Sequence, residues 1–222
     1  MQELFSMDKV MGFCEKVCYF FMVNLLFLIS NIPVLLFLLF VGAGQIRECL
    51  PLFLVCLLPV APALSAVLYA MNRVIHGTER TGFYDYKKGY CSGFLQKIKL
   101  GACQLFAVFV FWTNLEFFAV QIRVFPLMVL FVILFVITVL VTPNLYMLAS
   151  RYEMKNIQIV KTAVTLLIAK PVLTLGSVAS FVLILAAFEI SAGTTVLFMG
   201  SVYGFLIMFM NQGIFRELEK SE

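Results

Sequence analysis

Six long stretches of this chain carry no charged side chain, and their spacing decides what the chain can become. They cover residues 17–46, 49–72, 100–115, 124–150, 171–188 and 190–215. A helix of about 20 apolar residues satisfies its own backbone hydrogen bonds while crossing a hydrocarbon layer about 30 Å thick, so each run reads as a membrane pass. With 63% hydrophobic and 13% charged residues, the chain holds more apolar surface than a water-soluble fold can hide. The expectation is a single all-α polytopic domain, 1–222, with six transmembrane helices near 17–43, 50–72, 98–121, 124–150, 171–189 and 195–215. The third span reaches full length only by passing through Glu116. Glu189 and the turn-like residues 191–195 separate the last two.

Positively charged loops stay on the cytoplasmic side during insertion. With the amino terminus inside, fourteen of the sixteen Lys and Arg residues fall in cytoplasmic segments, and only Arg47 and Arg123 lie outside. Both termini are thus expected in the cytoplasm. The net charge of +4 then belongs to loops facing anionic lipid headgroups and gives no reason to invoke nucleic acid. The first apolar run is far longer than the 7–15-residue core of a secretory signal, so it reads as a retained anchor. Six cysteines scatter over spans and cytoplasmic loops and are expected as small apolar thiols without a disulfide framework.

Amphipathic stretches precede three of the hairpins. Leu4, Met7, Met11, Cys14 and Cys18 share a helical face before the first span. Phe83, Tyr86, Tyr90 and Phe94 share another, with Asp85, Lys88 and Ser92 pointing away. Ile157, Val160, Val164, Leu167 and Pro171 form a third, opposite Lys155, Gln158 and Thr162. The chain thereby divides into three units, each an interfacial cytoplasmic helix followed by a transmembrane hairpin, beginning near Met1, Gly82 and Met154. Pro33 in the first span and Pro59 with Pro62 in the second predict kinks.

Residues with chemical potential are few. His76 is the single histidine and has no evident triad or metal partners, and no phosphate-binding G-x-x-x-x-G-K-[ST] sequence occurs. No catalytic residue, metal ligand or cofactor is expected, and the chain reads as a non-enzyme. Glu116 beside Asn114, with Arg47, Arg123 and Glu189, falls at one outer level, where a small ion-pair network, a polar pocket or separate snorkelling side chains fit the sequence. Gly200 and Gly204 form a G-x-x-x-G suited to close helix packing, within the chain or against a second one. Phe83, Tyr84, Tyr86, Tyr90 and Phe94 offer either a partner-docking face or a lipid-surface anchor. Asn24 and Asn31 on the first span, with Asn144 and Asn211 further on, suit interhelical hydrogen bonds.

The stretches LFSMD at 4–8, NLLFLISNIPV at 24–34, PALSAVLYAMNRVIHGTE at 62–79 and FYDYKKGYCSGFLQKIKLG at 83–101 resemble the bacterial YesL family of integral membrane proteins. The resemblance covers mainly the first hundred residues. It rests on Asn24, the Pro62-Ala63 pair, Tyr69 and Phe83, while Pro59-Val-Ala-Pro62 departs from the Thr and Gly many members carry before that pair. It implies an accessory protein of carbohydrate uptake, associated with the permease or another part of a sugar-importing ABC transporter, and assigns no catalytic residue. The alternative is a small-molecule-binding or conducting protein, similar to the capture subunits of energy-coupling factor importers, with the outer polar residues as its site.

Overall fold

The computed structural model describes residues 7–122, 125–152 and 154–213. Ten α-helices make up almost all of them, with no strand among the described residues: α1 (Met7–Ser30), α2 (Ile32–Phe40), α3 (Leu50–Cys56), α4 (Val60–Ile75), α5 (Gly82–Cys91), α6 (Phe94–Glu116), α7 (Phe125–Arg151), α8 (Asn156–Ala169), α9 (Pro171–Ile190) and α10 (Ala192–Met210). Six stretches are long and apolar enough to cross a membrane: Val10–Ser30, Leu50–Ile75, Phe94–Val120, Phe125–Arg151, Pro171–Ile190 and Ala192–Met210. The chain is an all-α polytopic membrane protein. Its outer surface agrees, since Leu130, Ile133, Val136 and Val139 of α7 are all exposed, as suits contact with lipid rather than water.

Proline places the breaks. The first helix stops at Asn31, two residues before Pro33, and α2 continues the path to Phe40. The segment expected at 17–43 is therefore two helices, and its amphipathic start is the opening of α1 itself instead of a separate interfacial helix. Likewise the second pass divides into α3 and α4 around Leu57–Pro59, with Pro62 tolerated in the first turn of α4. The short pieces α2 and α3 pack together, with the Phe37 and Phe53 rings 5.1 Å apart. Beyond Glu116, α6 continues as a π-helical turn, Phe117–Ile122. Only Ser191, with non-helical backbone angles, separates α9 from α10, so the five-residue turn expected at 191–195 shrinks to one residue and α10 starts earlier.

The hub of the bundle is α4, which packs against α1, α5, α6, α7 and α10. Its buried face is rich in small side chains, Ala61, Ala63, Ser65, Ala66 and Ala70, which let neighbouring backbones come close. Partner glycines complete the contacts. A methyl group at Gly101 of α6 would lie 2.5 Å from Ala61 Cβ, and one at Gly204 of α10 would lie 2.7 Å from Val67 Cγ1. After α4 the chain reverses through Gly77 (φ +62°) and returns as α5, whose Gly89 sits against Ala66 and Tyr69. On α8 the buried residues are Ile159 and Ala163, whereas Ile157 and Val160 of the expected apolar face are exposed.

Candidate functional site

Where α1, α4 and α5 meet, the carboxylate of Asp85 is completely buried. Its Oδ2 accepts a hydrogen bond from the Tyr19 hydroxyl at 3.0 Å and from the backbone N–H of Arg80 at 2.9 Å. Its Oδ1 lies 3.2 Å from Arg73 Nη1, a charge contact without the alignment of a directed hydrogen bond. The Arg73 guanidinium also donates to the Thr78 carbonyl, from Nε at 2.9 Å, closing the reversal between α4 and α5. Burial of such a carboxylate is costly unless it is paired and hydrogen-bonded, and here both conditions hold. Helical periodicity predicts Asp85 on the side of α5 away from the aromatic face. The structure buries it instead, with donors from α1 and from the α4–α5 reversal and a counter-charge from α4. Beside the cluster a cavity of about 180 Å³ is lined by Glu15, Lys16, Tyr19, Glu79 and Arg80 among others.

The five aromatic residues expected on one docking face separate. Phe83 and Tyr84 are exposed, with the Arg80 guanidinium 5.1 Å from the Tyr84 ring centroid. Tyr86 is buried and donates to Ser30 Oγ at 2.8 Å. Burial pushes its phenol upward in pKa, only partly offset by that hydrogen bond, and burial raises Tyr90 as well. Tyr86, Tyr90 and Phe94 form a ring ladder, with successive centroids 6.0 and 5.4 Å apart. Below it the Lys97 ammonium is buried and donates to the Gly89 carbonyl at 2.6 Å.

The residues expected at the outer level gather only in part. Arg47 Nε donates to Glu116 Oε1 at 2.9 Å, and the same carboxylate oxygen also takes Arg47 Nη2. That bond holds the Arg47 guanidinium above its usual pKa. Asn114 turns back on its own helix, donating to the Val110 carbonyl at 2.7 Å. Glu189 is exposed at the end of α9 and makes no ion pair with Arg47 among the described residues. Arg123 lies outside the described residues.

Gly200 and Gly204 both serve contacts within the chain, against different helices. The amide of Asn24 brackets one turn of α10: Nδ2 donates to the Val196 carbonyl and Oδ1 accepts from the Gly200 N–H, each at 2.8 Å. Gly204 faces Val67 and Met71 of α4. The His76 Nδ1 lies 2.8 Å from the Asn72 carbonyl, a local helix-end contact. No three His, Cys, Asp or Glu side chains converge as a metal site among the described residues.

The Tyr19–Arg73–Asp85 cluster escaped the sequence reading. A signal was present, since Arg73 in the last turn of α4 and Asp85 in the first turn of α5 are joined by a short reversal that brings those turns together. Comparison with family models, with curated proteins and with solved structures finds no match to this chain.

Proposed function

We propose that this protein is a non-enzymatic accessory subunit of a bacterial carbohydrate importer of the ABC type, seated in the plasma membrane with both termini in the cytoplasm. It binds the permease or another importer component. The resemblance of residues 4–101 to the YesL family supports this reading. The observation that carries it is the arrangement of α5, a short helix fixed through Asp85 and Gly89 that leaves Phe83 and Tyr84 exposed beside Arg80. Exposed aromatic residues next to Arg on a rigid base are the residue kinds that dominate protein interfaces. The excess of Lys and Arg in the segments joined to this face supports a cytoplasmic position for it, within reach of cytoplasmic parts of an importer.

The test is recovery of bound proteins with a tagged full-length chain from native membranes in mild detergent. Importer subunits are expected with the wild type and lost with Phe83→Ala and Tyr84→Ala together. Tyr86→Ala is unsuited, because Tyr86 belongs to the core. Recovery of the chain without importer subunits overturns the reading.

A further inference from the structure

Midway along the bundle a cavity of about 330 Å³ lies between α4, α7, α9 and α10. Every residue lining it belongs to a membrane-spanning stretch, and Val139, Val178 and Phe181 at its wall are exposed on the lipid-facing surface. It is thus reached from the bilayer rather than from water, and it has room for on the order of ten water-sized groups.

Its lining is apolar except for hydroxyls, with Tyr203, Thr142, Thr174 and Ser177 facing one space and no Asp, Glu, Lys or Arg among them. Three of these hydroxyls are engaged within the protein. Thr142 donates to the Thr138 carbonyl at 3.0 Å, Ser177 donates to the Leu173 carbonyl at 3.1 Å, and Thr174 accepts from Asn144 at 3.4 Å. The Tyr203 hydroxyl has no hydrogen-bond partner among the described residues. Pro143, in the same wall, has no N–H, so the carbonyl of Val139, four residues earlier and also lining the cavity, loses its helical donor. Unsatisfied polar groups are costly at membrane depth, where no bulk water can serve them.

From this pairing we infer that the cavity is a binding site for a neutral long-chain alcohol drawn from the bilayer. The apolar walls take the chain. Its single hydroxyl accepts from Tyr203 and can donate to a carbonyl acceptor such as that of Val139. A charged headgroup does not fit, because nothing in the lining neutralises it and a charge at this depth is expensive. An alkane leaves the polar groups unserved. The inference stands independently of the accessory role.

A 12-carbon primary alcohol carrying a diazirine next to the hydroxyl tests it, applied to the full-length protein in mild detergent. Labelling is expected in peptides of α7, α9 and α10, and 1-dodecanol should displace it. Dodecane and dodecanoate should compete at least about tenfold less well, since one lacks the hydrogen-bonding group and the other brings a charge. Tyr203→Phe should weaken competition by 1-dodecanol about three- to tenfold, the loss of one hydrogen bond. Val178→Trp, at the lipid-facing rim, should abolish labelling. Each variant's melting temperature without alcohol checks its fold, and if Val178→Trp does not fold, the conservative Tyr203→Phe decides. Labelling spread evenly over lipid-facing helices, equal competition by dodecane or dodecanoate, or an unchanged Tyr203→Phe overturns the inference.

Discussion

Asp85 and Arg73 meet at 3.2 Å across the reversal that folds α5 back along α4, with Asp85 fully enclosed and the Arg73 side chain 19% exposed. The contact carries more than a pairwise attraction. The same carboxylate holds the Tyr19 hydroxyl of α1 and the backbone of Arg80, so one side chain fixes three segments. Hydrogen-bonded buried pairs set geometry even where their net stabilisation is small, because removing one partner strands the other.

Asp85→Ala is therefore expected to destabilise the protein by about 3 kcal/mol, since it leaves Arg73 without its counter-charge and two donors unmet. Tyr19→Phe removes a single hydrogen bond and should cost only about 1 kcal/mol. Thermal unfolding of both variants in detergent checks the order. Equal effects would mean that the carboxylate is hydrated and does not act as a hub.

The Asn24 bracket on α10 leads to a second expectation. Asn24→Leu keeps the branched four-atom shape of the side chain but loses both hydrogen bonds, one to Val196 and one to Gly200, over a sequence separation of more than 170 residues. Interhelical hydrogen bonds in membranes average about 0.6 kcal/mol each, so a loss of about 1 kcal/mol is expected. A double-mutant cycle with Gly200→Ala should be non-additive, because the added methyl would fall 2.9 Å from Asn24 Oδ1.

The helices were legible because a charge-free run of membrane length has few other ways to satisfy its backbone, and Pro33 and Pro59 marked the breaks. The site was less legible. Helical periodicity places Asp85 on the polar side of α5, and side-chain partners 12 and 66 residues away, which periodicity does not reveal, meet it inside. The aromatic set divided for a related reason. The close approach of α5 to α4 at Gly89 fixes its rotation, so Tyr86 goes inward while Phe83 and Tyr84 stay out. Glu116 is marked by its isolation in an apolar run, and Arg47 is one of the two basic residues expected at the same level, so their pairing is one of the arrangements that charge and level allow, and the structure selects it. Pro143 lies inside an unbroken helix and left no comparable mark.

Glycine contacts give a graded prediction along one helix. Gly204→Val should cost about 1–3 kcal/mol, since even a methyl there lies 2.7 Å from Val67 in a packed seam. Gly193→Ala, also on α10, meets nothing within 4 Å and should stay within about 0.5 kcal/mol of wild type. Melting temperatures that fall alike for both would place the close approach somewhere other than α4 and α10.

The Arg47–Glu116 pair tests what surrounds the far end of the bundle. Both side chains are substantially open, 64% and 39% exposed, and pairs of this kind contribute little when water can reach each partner. In detergent, Glu116→Gln is accordingly expected to leave the melting temperature unchanged, and the charge-swapped protein, Arg47→Glu with Glu116→Arg, should match wild type. In an apolar layer the outcome would differ, because an unpaired carboxylate there is expensive and each single change would strand a charge. A single Arg47→Glu change sharpens the comparison, since it sets two carboxylates together. It should lower the melting temperature more than Glu116→Gln does, and raising the salt concentration should shrink the difference if water reaches the pair. A difference that salt leaves untouched would put the pair inside the hydrocarbon layer and move the membrane boundary beyond Glu116.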